Sequence, residues 1–253
     1  MYAQQRHAKI LDTVNRAGRV AVADLATEFT VVPETIRRDL DQMAERDLLV
    51  RVHGGAIARR TAVLEPDLPT RAATNTDAKR RIAGAAARLL PRDASAGILI
   101  DAGTTTAELI PHLDGRTGTV LTNSPAIAQA ALAHHDLEVR ILPGRLRGTT
   151  QAAVGADTVQ AVRRLRPAVV FLGCNGLTAD GFTTPDPEEA AVKHAMVEQA
   201  GLRVVLADST KVGAQHLVTF AVLREIDALV TDAPLPAPLQ QSMTDAGIEV
   251  LTA

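Results

Sequence analysis

Residues 98–108 read ILIDAGTTTAE: an apolar strand runs into an acid, a glycine and three threonines, then into a helical pattern. Gly103 lets a backbone turn sharply and approach a ligand. Thr104, Thr105 and Thr106 supply hydroxyls, and their N–H groups stand at a helix N-terminus, where free donors and the helix dipole favour an anion. A loop of this kind also serves simply to cap its helix, so its weight comes from its company. Three more polar loops follow apolar runs: Thr122-Asn123-Ser124, Gly173-Cys174-Asn175-Gly176 and Asp208-Ser209-Thr210-Lys211. As strand ends of one sheet, all four converge on the edge where open α/β folds hold their ligands. Packing alone does not explain four of them.

A different chemistry occupies residues 33–56, PETIRRDLDQMAERDLLVRVHGGA. With Ile36, Leu40 and Met43 turned inward, a helix from Pro33 presents Thr35, Arg37, Arg38, Asp41 and Gln42, with Glu34 in its first turn. Adjacent arginines point about 100° apart around a helix, so one reaches a base edge while the other grips a phosphate. Asp39 is available to hold an arginine in register. Leu48–Val52 reads as a strand and His53-Gly54-Gly55 as a tight turn, placing Arg51 and His53 where a wing meets the DNA backbone. The bland alternative is a helical bundle with a solvated charged face; the spacing of helix, turn and wing argues against it.

The elements that position these groups follow from periodicity. Ile10, Leu11 and Val14 mark a first helix stopped by Gly18, and Val22, Leu25, Ala26 and Phe29 a second. With the helix at Pro33 and the hairpin, this outlines a winged helix-turn-helix over 1–58. Residues 59–78, with Arg59-Arg60, Pro66 and Pro69, read as a linker into a helix at Lys79–Leu90. In 79–253 the rhythm becomes strand, loop, helix. Strands are expected at Gly97–Asp101, Thr119–Thr122, Glu138–Leu142, Ala168–Leu172, Arg203–Asp208, Asp227–Thr231 and Ile248–Leu251. Helices are expected at 125–134, 155–165, 188–200 and 236–246. Continuous apolar strands alternating with helices predict a mostly parallel sheet covered on both faces, an α/β domain.

Composition sets outer bounds. The chain has 253 residues, 46% hydrophobic and 22% charged, enough for a buried core and too few charges for wholesale disorder. No apolar run has the length of a membrane span, and the N-terminus lacks the unbroken apolar stretch of a signal peptide, so a cytoplasmic protein with no membrane partner is expected. Cys174 is the single cysteine, which excludes an internal disulfide. Without a partner histidine it reads as a small buried filler. His134, His135 and His216 show no ligand spacing, so neither metal nor cofactor is expected. The overall charge of −2 divides into +2 over residues 1–60 and −4 over the rest, which permits DNA contact at one end.

TIRRDL at 35–40 followed by RVHGGA at 51–56 resembles the DeoR-type bacterial repressors, a match spanning residues 3–58. The C-terminal motifs extend the resemblance over nearly the whole chain: Asp101–Thr105, Thr122–Ser124, Gly173–Gly176, Glu189–Lys193 (EAAVK) and Asp208–Lys211. It implies an effector domain like the ribose-phosphate isomerase and CoA-transferase type of α/β fold, holding a phosphorylated sugar. The phosphate would sit on Gly103–Thr106, and Asp101, Asn123 and Asn175 would meet the hydroxyls. Lys193 or Lys211 would supply positive charge, with Thr122, Ser124, Gly173, Gly176 and Asp208 around them. The segment TTPDPEEAAVKHAM (183–196) resembles members governing fructose uptake, which implies fructose 1-phosphate. The chain departs from the family in two places. Val32 stands where an N-capping serine is usual, and Pro143-Gly144 stands where the family has two glycines. Arg145 and Arg147 follow, either closing over an anion or standing as surface arginines, and Arg147 is taken into the site.

Isomerisation of a sugar phosphate needs a carboxylate base, and GCNGL (173–177) offers an amide and a thiol instead. A site kept for binding and stripped of chemistry is expected. The resulting expectation is a homo-oligomeric repressor that reads double-stranded operator DNA and is released by a sugar phosphate, coupled through residues 58–90. Two alternatives stay open: an isomerase with an appended DNA-binding domain, and a C-terminal domain that only oligomerises.

Overall fold

The computed structural model describes residues 3–17, 19–46, 48–52, 54–58, 65–91 and 93–253. The chain forms two units, Met1–Pro66 and Asp67–Ala253. Among the described residues no helix is long and apolar enough to cross a membrane.

The first unit runs α1 (Ala3–Ala17), β1 (Arg19–Ala21), α2 (Val22–Phe29), α3 (Pro33–Glu45), β2 (Leu49–Val52) and β3 (Gly55–Ala58). Strand β3 lies between the other two and antiparallel to both. Ile10 and Val14 of α1, Leu25 of α2, Ile36, Leu40 and Met43 of α3 and Leu49 of β2 form one core. The inward set expected for α3 is therefore the observed one. Gly55 is required by contact: a Cβ there would stand 2.0 Å from the Val20 carbonyl oxygen. Helix α2 ends at Thr30, which adopts φ 55° and donates its N–H to the carbonyls of Ala26 and Thr27. The stop expected at Gly18 lies outside the described residues, as do Arg59 and Arg60.

The second unit opens with α4 (Leu68–Ala73) and α5 (Thr76–Ala86), followed by β4 (Asp93–Ile100), α6 (Thr104–Ala107), β5 (Thr117–Thr122), α7 (Pro125–Ala131) and β6 (Leu137–Ile141). Next come β7 (Arg145–Leu146), β8 (Ala153–Val154), α8 (Ala156–Arg163), β9 (Val169–Gly173), β10 (Gly176–Thr178), β11 (Gly181–Thr184) and α9 (Pro187–Gln199). The chain closes with β12 (Leu202–Leu206), β13 (Val218–Ala221), β14 (Ala228–Thr231), α10 (Ala237–Asp245) and β15 (Glu249–Thr252). The linker expected over 59–78 is thus corrected from Asp67 onward. Asp67 caps α4 by accepting from Thr70 N at 3.0 Å, and Pro69 sits in its first turn.

Seven strands form one parallel sheet in the order β15-β14-β12-β9-β4-β5-β6, and they are the seven expected. Alternate side chains feed two cores: Ile98, Ile100, Val169 and Phe171 pack on one face, and Leu99, Val170 and Leu172 on the other. That is why these strands read as unbroken apolar runs. Two additions were not foreseen: the β7-β8 ribbon and the antiparallel sheet β10-β11-β13. Order in the main sheet reverses at β4, which has β5 on one side and β9 on the other. The carboxyl ends of β4 and β9 therefore flank the crevice where such sheets take ligands.

Candidate functional site

In the first unit, α3 starts without a side-chain cap: Val32 has φ −69° and ψ 146°, is 64% exposed, and precedes Pro33 at N1. Thr35 is half-buried, and Arg37, Arg38 and Gln42 are exposed. Arg37 pairs with Glu34 at 2.7 Å. Arg38 makes no ion pair or hydrogen bond with the described residues and stands ready for an incoming acceptor. Asp39 corrects an expectation: it faces inward and accepts from Arg6 Nη2 at 3.0 Å and from His7 Nε2 at 2.9 Å. Burial alone would raise the Asp39 carboxyl; the Arg6 and His7 hydrogen bonds outweigh it and hold it below the usual carboxylate range. Asp39 therefore clamps α1 to α3 and leaves Arg37 and Arg38 to themselves. Arg51 is tied to Asp41 at 2.7 Å and to the Gly55 carbonyl, across the hairpin. His53 lies outside the described residues.

In the second unit a cleft opens at the ends of β4 and β9. Gly103, Thr104, Thr105, Gly173, Cys174, Asp208 and Lys211 line it, together with Arg71, Thr74, Asn75, Lys79 and Thr210. The hydroxyls of Thr104 and Thr105 and the Lys211 ammonium have no protein partner among the described residues. Lys79 donates to the carbonyls of Thr74, at 2.6 Å, and Arg71, and burial lowers its pKa. Asp208 accepts from Thr210 N at 3.0 Å, from the Thr210 hydroxyl, and from Asn75 Nδ2 at 3.4 Å. Asn75 itself has φ 54° and joins α4 to α5. Helix α6 is only four residues long, so positive charge at this cleft comes mainly from Arg71, Lys79 and Lys211. Arg71 was not foreseen because its segment read as linker, and Lys79, at the head of the helix expected at Lys79–Leu90, was not assigned to the site.

Several expected residues lie beneath the cleft. Asp101 and Lys193 are 2% and 5% exposed. The Lys193 ammonium donates to Asp101 Oδ2 and, at 3.0 Å, to the Gly173 carbonyl, while Gly173 N donates to the same Asp101 oxygen at 3.2 Å. This knot ties β4 to β9. Burial pushes the Asp101 carboxyl up against the opposing pull of Lys193. Asn123 Oδ1 accepts from Ala102 N at 2.8 Å and Nδ2 donates to the Ala153 carbonyl at 3.2 Å. Thr122 Oγ1 accepts from Ser124 N at 3.1 Å, and Ser124 caps α7 through Ile127 N at 3.3 Å. Thr106 Oγ1 donates to the Asp101 carbonyl at 2.7 Å. Gly103 has extended φ; a Cβ there would meet that Thr106 hydroxyl at 2.9 Å, which explains the glycine better than a sharp turn does.

Other expected residues lie off the cleft. Gly176 is a packing glycine, its virtual Cβ 2.3 Å from the Ala214 carbonyl oxygen. The Asn175 carbonyl accepts from His216 Nε2 at 3.2 Å. Arg147 binds Asp186 at 3.0 Å and Glu189 at 3.2 Å, and Arg145 pairs with Glu188, so both arginines fasten the β7-β8 ribbon to α9. Cys174 is buried, and burial pushes its thiol up to about 12, the behaviour of an inert filler. Among the described residues no cluster of His, Cys, Asp and Glu is arranged to hold a metal.

Comparison with known proteins covers both units. The DeoR-like helix-turn-helix domain matches residues 6–62 and the DeoR C terminal sensor domain residues 74–233. The chain is 35% identical to the HTH-type transcriptional regulator GlpR of Haloferax volcanii, over 99% of this chain and 98% of that one. It is 32% identical to the glycerol-3-phosphate regulon repressor of Escherichia coli, over 99% of each. It is 35% identical to the HTH-type transcriptional regulator FruR of Bacillus subtilis, over 92% of each. A solved ribose 5-phosphate isomerase A from Methanocaldococcus jannaschii overlaps 55% of this chain and 55% of its own, with TM-score 0.40 and 17% identity. With a helix-turn-helix unit and a sensor unit in this order and full-length relatives on either side, the chain belongs to the DeoR family of DNA-binding transcriptional regulators and is not an enzyme.

Proposed function

We propose that the chain represses a sugar-utilisation operon and leaves its operator when a small phosphorylated sugar or polyol fills the cleft of the second unit. The observation that carries this reading is the cleft's chemistry: the Lys211 ammonium, without a protein partner among the described residues, further positive charge on Arg71 and Lys79, and the unpartnered hydroxyls of Thr104 and Thr105. A phosphate satisfies the cations and hydroxyls together, and Asn75, Thr210 and Asp208 are suited to sugar hydroxyls. Asp101 and Lys193 act by setting the spacing of β4 and β9 under the ligand.

On the DNA side, Arg38 reads a base edge and Arg37 moves from Glu34 to a phosphate, while Thr35, Gln42 and Arg51 hold the helix and wing in place. Two or more copies set their α3 helices into successive major grooves, so the operator carries repeated half-sites. A ligand favouring the DNA-incompetent arrangement shifts the population off the operator. Residues 58–90 are the physical route, because α4 and α5 supply cleft residues and follow directly on the first unit.

Fructose 1-phosphate is the first candidate, from the 183–196 segment. Glycerol 3-phosphate is the second, because a relative matching over nearly the whole chain is the glycerol-3-phosphate regulon repressor of Escherichia coli. A gel-shift titration with both esters and with free fructose and glycerol tests the reading. Release by one ester and by neither free polyol supports it. Thermal unfolding provides a second readout, since a ligand at about 100 times its dissociation constant adds about 2.7 kcal/mol. No shift and no release with any phosphate ester would leave the C-terminal unit as an oligomerisation platform.

A further inference from the structure

Strand β6 is an outer strand of the seven-stranded sheet, and its far edge pairs with no described strand. It reads LEVRI. Leu142 N donates to the Thr122 carbonyl at 2.8 Å, and this fixes the phase. Peptide groups of residues 138, 140 and 142 turn towards β5, and those of Val139 and Ile141 turn outward. Such a row of donors and acceptors is a template for another strand, which proteins commonly blunt with charged side chains, proline or a bulge. Strand β6 has no proline and no bulge, its pairing with β5 being unbroken from Leu137 to Ile141, and its two charges, Glu138 and Arg140, are of opposite sign. Beside it Ile141 is 53% exposed, and Leu132, just past α7, is 63% exposed.

We infer that β6 is a self-pairing edge, on which a second copy of this chain docks its own β6 antiparallel about a two-fold axis at Val139. Charge selects both occupant and register. Two-fold pairing of identical strands sets residue i against j and j against i. Centred on Val139, each Glu138 faces an Arg140 of the other copy, and each Leu137 faces an Ile141. Centring on Glu138 or on Arg140 sets like charges face to face. The hydrogen-bonding phase selects the same centre. Outward peptide groups at 139 bond across the axis; at 137 the carbonyl accepts from Ile141 of the other copy, while the Leu137 N–H is already held by the His134 carbonyl at 3.1 Å. Positions 138 and 140 then form the non-hydrogen-bonded pairs, whose side chains approach most closely. Within one copy Arg140 Nε already reaches Glu138 Oε1 at 2.7 Å, so the second copy adds a complementary pair to one in place. Leu137, Val139 and Ile141 share the other face, which continues the apolar layer above the sheet and covers Ile141. The opposite edge strand, β15, reads EVLT and has no such complement.

The second copy is the one the repeated half-site reading requires, and this surface rests on that reading. Two kinds of variant test it in the full chain. A hydrogen-bonded antiparallel pair has Cα atoms about 5.5 Å apart, inside the disulfide range. V139C is therefore expected to form a disulfide-linked dimer on mild oxidation, while the wild type, whose one cysteine is buried, does not. E138R and R140E each set like charges opposite one another and are expected to weaken self-association roughly tenfold in sedimentation. An equimolar mixture of the two restores it, because each strand is then complementary to the other. If V139C stays unlinked while melting like the wild type, or if both charge variants sediment unchanged, the surface is wrong. A wild-type dimer with unlinked V139C overturns the surface alone; a wild-type monomer at all concentrations overturns the oligomeric reading with it.

Discussion

Glu189 and Lys193 stand one turn apart on α9 and hold two different segments. Glu189 accepts from Arg147 at 3.2 Å and from the Thr150 hydroxyl, fastening the β7-β8 ribbon, and Lys193 ties Asp101 to Gly173 beneath the cleft. One helix thus sets the height of the cleft floor and the seat of the neighbouring loop.

Removing one member of a buried pair strands the other. Lys193→Ala is expected to cost about 3–5 kcal/mol in denaturant unfolding of the full chain. The double variant D101N/K193M leaves no charge behind and is expected to lose less than K193A alone. Equal losses in the two would show that the charge is not what is felt.

The Arg6–Asp39 clamp carries a pH signature. Its folded-state pKa is below the ordinary carboxylate value, so its contribution is fully present above that ordinary value and is lost as pH falls through the folded one. Asp39→Ala is expected to destabilise the first unit by about 3–5 kcal/mol near neutral pH. Its unfolding is expected to depend less on pH in the acid range than that of the wild type, which calorimetry at pH 7 and in a descending acid series would read.

Arg38→Ala is expected to weaken operator binding by roughly 5- to 150-fold, from the ~1–3 kcal/mol of a base contact. Its melting temperature should hold, because the side chain is exposed and unpaired. Arg37→Ala, which removes a phosphate grip, is expected to lower affinity on all sequences alike and to flatten the salt dependence. Gel shifts on specific and scrambled DNA separate the two.

Gly176→Ala tests a packing role against a ligand role. A methyl placed 2.3 Å from the Ala214 carbonyl oxygen is expected to cost about 1–3 kcal/mol. A thermal melt without ligand reads this directly, and an unchanged melt would return Gly176 to the list of ligand contacts.

The main sheet was legible because every strand is a short apolar run between polar loops, and parallel strands buried on both faces have to look like that. The inward face of α3 was legible from its spacing. Less legible was what each polar residue at a strand end does. Thr106, Thr122, Asn123 and Ser124 have the chemistry of ligand contacts, yet their hydrogen bonds close on neighbouring backbone, and no single-sequence pattern separates those two uses. Arg71 and Lys79 were missed for another reason. Asp67 followed by a proline in the first turn is a helix start, but Pro66 and Pro69 together read as linker, so the helix bearing Arg71 dropped out, and Lys79 heads an expected helix with no motif to mark it as a cleft residue. Asp39 was placed beside the arginines by sequence adjacency, whereas the helical period turns it inward to Arg6.

The switch of strand order at β4 also governs when the binding site comes into being. Strands β4, β5 and β6 are neighbours in chain and sheet alike, but β9 reaches β4 only after α7, the ribbon and α8 have been laid down, and Lys193 arrives later still. Contacts so distant along the chain form slowly. A nascent polypeptide therefore has its helix-turn-helix unit long before it has the floor of the cleft.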